Sequence, residues 1–212
     1  MTILALEFSS ARRSVALARG GRVLAEAFEQ SAGRGTNVFG LIEKVLAAAK
    51  ISREEIETMA VGLGPGSYTG IRGAIAVAQG WQLARGVKLL GVSSVESLAA
   101  QAQAEKIFGR LNLVVDAQRN EFYLATWEVA DARCMEISPL KIVSAAEIEA
   151  LKAKGEICAG PDMQQGVFPS AAAVAGRALG RTDFLPGEKL EPIYLRETSF
   201  VKMPATRDGR MV

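Results

Sequence analysis

Twice along its length the chain passes through three strand-length apolar segments before it reaches a helix and a further strand. The first set is TILALEF at 2–8, RSVALAR at 13–19 and RVLAEAF at 22–28. Gly20-Gly21 between the last two is a hairpin turn signal, so those two are expected to pair antiparallel. After the turn-rich loop SAGRGTN, residues Val38, Leu41, Ile42, Val45 and Leu46 recur at helical spacing. That spacing predicts a helix starting near Thr36 or Asn37 and ending near Lys50. Ser52-Arg53-Glu54-Glu55 is a capping box for a short turn, and Met59 to Leu63 reads as a strand. A helix over 70–84, a strand over Lys88–Val92 and a helix opened by a second capping box, Ser93-Ser94-Val95-Glu96, complete the order β-β-β-α-β-α-β-α.

The second set begins with LNLVVDA at 111–117 and EFYLATWEVA at 121–130, joined by a turn at Gln118 to Asn120. A third strand over 134–143 is followed by a capping box, Ser144-Ala145-Ala146-Glu147. That box opens a helix to about Lys154, with Gly155 just past its end. EICAG then reads as a strand, and the alanine-rich stretch 170–180 as a helix. The second half thus begins in the same order as the first, a likeness of order and not of residues.

Histidine is absent from all 212 residues. That removes the commonest general base and metal ligand and excludes serine–histidine and cysteine–histidine triads. Only Cys134 and Cys158 could ligate through sulfur, a poor start for a zinc site, and both are expected to be free thiols in a cytosolic protein. A net charge of +2 does not mark a nucleic-acid binder. The start MTILALEFSS meets Glu7 too early for a signal peptide, and no run of 18 apolar residues suggests a membrane span.

The stretch GLGPGSYTGIRGAIAVAQGWQLA, from Gly62 to Ala84, places glycines between a strand and a helix, where backbone N–H groups can hold an anion. It fails the phosphate-loop frame, because no lysine occurs between Lys50 and Lys88. It fails the dinucleotide fingerprint too, because Ser67 stands where a third glycine is needed. A tight turn that packs the helix on its strand is the plainer reading. The helix behind it carries Arg72, Gln79 and Gln82 on one narrow stripe and is otherwise small or apolar. Between Thr58 and Val95 there is no acidic residue. Either the helix is enclosed by its own chain, or another protein covers it.

Glu7 and Asp116 stand at the ends of the first strands of the two sets. Two such acids would suit a phosphotransferase that holds Mg²⁺ and orients an oxygen. The loops after them, FSSARRS and AQRNEF, lack the glycine that lets backbone approach phosphate. Asp116, Arg119 and Glu121 pairing or capping the strand turn is the structural alternative.

GPGSYTGIR at 64–72, the small-residue helix after it, GVSSVESLA at 91–99, VDAQRNEFY at 115–123 and PIYLR at 192–196 resemble the TsaB (YeaZ) family. The likeness runs from Ile3 to Arg196. It implies an α/β fold of the actin-like ATPase type in degenerate form, with two lobes of mixed sheets flanked by helices. The lobes are expected over 1–106 and 107–196, with a basic, mobile tail over 197–212. The resemblance also implies a cytoplasmic, non-catalytic subunit that pairs with TsaD, joins TsaE in a larger assembly and forms a homodimer when alone. The product would be N6-threonylcarbamoyladenosine, beside the anticodon of tRNAs reading codons that begin with adenine. Metal, ATP or ADP, and chemistry would sit on TsaD or at the shared interface, and tRNA would be met only through the complex.

By position, the family's partner-binding helices correspond to 36–50 and 70–84. Phe39, Leu41, Ile42, Leu46, Ala74, Ala78 and Trp81 are the expected interface residues. A charge there, as in Ala78→Glu, is expected to break association and spare the fold. Gly64, Pro65, Gly66, Ser67, Tyr68, Thr69, Gly70 and Arg72 form the family's motif loop. The chain departs from the family pattern in carrying Glu7 for aspartate, Tyr68 for phenylalanine and Gly35-Thr36-Asn37 where a histidine is usual. The competing reading is a small ATP-dependent phosphotransferase using Glu7 and Asp116.

Overall fold

The computed structural model describes residues 1–30, 35 and 37–195. Thr36, Arg196 and the tail over 197–212 lie outside them. The first sheet has five strands: β1 (Thr2–Glu7), β2 (Arg12–Arg19), β3 (Arg22–Gln30), β4 (Thr58–Gly62) and β5 (Lys88–Val92), in the order β3-β2-β1-β4-β5. The Gly20-Gly21 hairpin forms as expected, with φ of 60° and 82°, and β2 and β3 are antiparallel. β1 runs parallel to β4, and β4 to β5. The second sheet contains β6 (Gly109–Asp116), β7 (Glu121–Val129), β8 (Cys134–Ser144) and β9 (Ile157–Ala159), in the order β8-β7-β6-β9. Strand for strand, this repeats β3-β2-β1-β4, with the same antiparallel and parallel pairs. The likeness of order in the sequence is therefore a likeness of topology. Glu7 and Asp116 end equivalent strands.

All six residues of β1 are buried, because helices cover both faces of its sheet. Helices α1 (Val38–Ala49) and α2 (Tyr68–Arg85) pack on one face against Leu4, Leu6, Met59 and Val61. On the other face lies α5 (Ala171–Ala178), whose alanines allow close approach to Ile3, Ala5, Ala16 and Leu90. Each fully buried leucine or isoleucine in these layers contributes roughly 1.5–3 kcal/mol by leaving water. Helix α3 (Ser94–Ala104) covers one face of the second sheet through Leu98 and Ala102, and α4 (Ala145–Ala153) covers the other through Ile148. Helices α3 and α5 meet between the sheets. There the Ser97 hydroxyl donates to the Ser170 carbonyl at 3.1 Å, and Arg177 pairs with Glu96 at 3.2 Å.

Two features depart from the sequence reading. Residues 171–195 follow the second set of strands, yet they pack on the first sheet. Helix α5 lies against β1 and β2, Leu185 bonds to Leu89 at the β5 edge, and Leu190 joins the core under α1 and α2. The division at 106/107 therefore does not describe where this segment rests. The Ser93–Glu96 capping box does not form either. Ser93 makes no side-chain cap bond, and the Glu96 side chain is turned to Arg177. The boxes at Ser52–Glu55 and Ser144–Glu147 both close.

Candidate functional site

The glycine loop is closed against its own chain. Ser67 N donates to the Ser9 carbonyl at 2.7 Å, and Gly64 N to the Ser94 hydroxyl at 3.0 Å. Ser67 caps α2, accepting from Gly70 N through its side chain at 3.3 Å and from Ile71 N through its carbonyl at 3.0 Å. A Cβ on Gly66, which has φ of 144°, would overlap the Ser9 carbonyl, and one on Gly70 the Phe8 carbonyl. Glycine at these two positions lets the loop rest on the β1–β2 turn. The N–H groups of Gly64, Ser67 and Gly70 are engaged within the protein, which supports the tight-turn reading of the loop. Pro65 is buried and follows Gly64 through a cis peptide, and Thr69 is exposed on the first turn of α2.

Glu7 is fully enclosed. Its Oε1 accepts from Ser9 N at 2.8 Å and its Oε2 from the Ser94 hydroxyl at 2.8 Å. Burial raises its pKa above the ordinary value, opposed by the bonds from Ser9 and Ser94. Gly62 leaves room for this carboxylate, because a Cβ there would overlap it. Glu7 thus ties β1 to α3 and the loop, and it presents no oxygen to a metal. Asp116, at the equivalent strand end, is exposed, and it accepts from both Gln118 N and Gln118 Nε2 at 2.7 Å. It caps the turn, as the structural alternative held. The phosphotransferase reading loses one of its two carboxylates to the interior and finds the other engaged locally.

The structure divides the expected interface residues. Leu41, Ile42, Leu46, Ala74 and Ala78 are at most 5% exposed and belong to the core beneath the helices. As placed, they are core and not contact surface, and Ala78→Glu would bury a carboxylate. Trp81 is partly buried against the same core, whereas Phe39 is 64% exposed. Gln79 and Gln82, two of the polar residues on α2, serve the chain itself. Gln79 Nε2 donates to the Gly187 carbonyl, and Gln82 Oε1 accepts from Gly187 N, both at 2.8 Å. A face of α2 remains uncovered and carries Gly73, Ala76, Gly80 and Leu83. Leu83 is 91% exposed, and nothing lies within 4 Å of where a Cβ on Gly73 or Gly80 would sit. None of these four is among the expected interface residues. Ile71, Ala74, Ile75 and Ala78 repeat at helical spacing and mark the core stripe, which leaves 73, 76, 80 and 83 on the opposite one.

Between the turns that follow β1 and β6 lies a cleft of about 1400 Å³. Ser9, Ser10 and Arg13 line it from the first sheet, with Ser67, Tyr68 and Arg72 from the start of α2. Asp116 and Arg119 line it from the second sheet, and Tyr194 from the C-terminal segment. Tyr68 and Tyr194 stack with ring centroids 5.5 Å apart. Among the described residues no cluster of three metal-ligating side chains is found, and no helix is long and apolar enough to cross a membrane.

Residues 31–178 match the family model described as TsaD: tRNA N6-adenosine threonylcarbamoyltransferase. The chain is 33% identical over 129 residues to the tRNA threonylcarbamoyladenosine biosynthesis protein TsaB of Escherichia coli, covering 60% of this chain and 55% of that one. It is 27% identical over 156 residues to the Bacillus subtilis protein of the same name, covering 73% and 67%. The match spans little more than half of the E. coli relative. The solved structure of YeaZ from Pseudomonas aeruginosa superposes with a TM-score of 0.77 at 23% identity, over 92% of this chain and 99% of that one. That agreement is one of fold: two mixed sheets flanked by helices, as the resemblance implied.

Proposed function

The chain belongs to the TsaB/YeaZ family, and from that premise we propose that it is a non-catalytic subunit that pairs with TsaD in forming N6-threonylcarbamoyladenosine on tRNA. The observation that carries the proposal is the uncovered face of α2. A helix lying on a sheet ordinarily turns charged residues to water. This one turns Gly73, Ala76, Gly80 and Leu83 outward, and its only charges are Arg72 and Arg85. Small residues let a second helix approach closely, and loss of charge at the centre of a patch is what interfaces show. Phe39 on α1 adds an exposed aromatic on the same side of the sheet.

The enclosed Glu7 supports a non-catalytic role, because the acid best placed for metal chemistry is a structural tie. Nucleotide, metal and the transfer itself then reside on TsaD or at the shared surface, with TsaE joining the assembly in the cytoplasm. Without TsaD the same face of α2 pairs with a second copy. An interface of roughly 800 Å² per partner is the size such a pair needs.

Light scattering on a sizing column tests this, with the chain alone and then mixed with TsaD of the same organism. A homodimer that gives way to a mixed complex is expected. A monomer that ignores TsaD would overturn the proposal.

A further inference from the structure

The walls of the cleft between the two sheets carry a specific chemistry. A nucleoside triphosphate is best held by clustered backbone N–H groups, and two of those in the glycine loop, Ser67 N and Gly64 N, are engaged by Ser9 and Ser94. What the cleft does offer is aromatic surface beside guanidinium. Tyr68 and Tyr194 stack at an interplanar angle of 27° and remain 57% and 44% exposed. Arg72 lies 5.2 Å from the Tyr68 ring centroid and donates from Nη1 to the Tyr68 hydroxyl at 3.2 Å. Its charge also acts on the Tyr194 phenol. The Tyr68 phenol positions this cation without neutralising it, and no carboxylate pairs with it among the described residues.

Across the cleft Arg119 is exposed on a turn in which Gln118, Arg119 and Asn120 hold φ of 65°, 60° and 60°. Asp116 and Asp162 also line the cleft. Two carboxylates among the arginines oppose a long phosphate track and favour a short strand.

Resting on the tRNA-modification reading above, we propose that this cleft binds a short single-stranded RNA segment directly. One base stacks on the Tyr68–Tyr194 pair, and adjoining phosphates meet Arg72 and Arg119. Aromatic faces accept any base, and guanidinium groups hold phosphate by charge-assisted bonds. A duplex keeps its bases stacked inside and cannot use the tyrosines.

The test is fluorescence anisotropy at low salt, with the full chain and a fluorescein-labelled single-stranded anticodon-loop oligonucleotide. The same oligonucleotide annealed to its complement is the control. The single strand is expected to bind, and to bind more weakly as salt rises. Tyr194→Ala and Arg119→Asn should each weaken it about tenfold. Asparagine is chosen because it tolerates positive φ, and circular dichroism verifies that both variants fold. Arg85→Ala, at the far end of α2, should bind as the parent does. Failure of the parent to bind, equal affinity for the duplex, cleft variants that bind unchanged, or displacement of the strand by free ATP would each overturn the proposal. Association with TsaD, followed in parallel on the sizing column, separates the two readings. Loss of RNA with association intact touches only the cleft, and loss of association by the parent touches only the subunit role.

Discussion

Ser94, the first residue of α3, gives its hydroxyl proton to the enclosed carboxylate of Glu7 at the end of β1, 2.8 Å away. The same hydroxyl accepts from Gly64 N at 3.0 Å. One side chain therefore joins a strand of the first sheet, the glycine loop and the helix that covers the second sheet. Burial raises the Glu7 pKa from its ordinary 4.5. In such a case the folded protein binds the proton more tightly than the unfolded chain. The stability gained is fully present below pH 4.5 and is lost as pH rises through the folded value. Glu7→Gln removes the titrating group and keeps the shape. Thermal midpoints measured from pH 4 upward should fall less steeply for Glu7→Gln than for the parent. Parallel curves would show that Glu7 does not set this part of the pH dependence.

Gly62 and Gly66 should resist alanine for two different reasons. At Gly62 the new methyl would overlap the Glu7 carboxylate, and at Gly66 it would overlap the Ser9 carbonyl at a backbone φ of 144°. Overpacking of this kind costs about 1–3 kcal/mol. Gly73→Ala, with open space around it, should be neutral or slightly stabilising, since alanine is the better helix former by about 1 kcal/mol. Urea unfolding of the three variants checks the ranking.

Both cysteines should react slowly. Burial pushes the Cys134 and Cys158 thiols up, which lowers the thiolate fraction at neutral pH. Labelling with a chromogenic disulfide at pH 8 should be slow for the folded chain and fast in urea. Prompt labelling of both thiols in the folded chain would contradict this packing.

Local signals carried most of the fold. The Gly20-Gly21 turn, the Ser144–Glu147 box and the helical spacing of Leu41, Ile42, Val45 and Leu46 each depend on residues close in sequence, and each formed. The misplacements came from long-range partners. Glu96 left its cap for Arg177, which is 81 residues away, and the 171–195 segment crossed back to the first sheet. No spacing rule announces either event. The candidate site was legible as a feature and misassigned by residue. The helix from Tyr68 to Arg85 is unusually apolar, but two of the three residues expected as contacts on it, Ala74 and Ala78, belong to the core. Phase, read from Ile71, Ala74, Ile75 and Ala78, separates core from surface. It shows that the outward face is made of Gly73, Ala76, Gly80 and Leu83. The stacked Tyr68–Tyr194 pair joins residues 126 positions apart, so the cleft had no local signature.

Two alanines on one helix make the sharpest test of that phase. Ala78 is fully buried under α2, and Ala76 faces outward. Glutamate at 78 would place a carboxylate in an apolar core with no partner, which costs more than about 3 kcal/mol or forces protonation. Glutamate at 76 stays in water and should change stability by no more than about 0.5 kcal/mol. It puts a charge at the centre of the proposed contact, where it should weaken association about a hundredfold or more, equivalent to roughly 3 kcal/mol. Ala76→Glu is therefore expected to melt with the parent and elute as a monomer that no longer binds TsaD. Ala78→Glu is expected to melt well below the parent. If Ala76→Glu still binds TsaD, the uncovered face of α2 is not the contact. If Ala78→Glu melts with the parent, α2 does not pack on the sheet in the phase described.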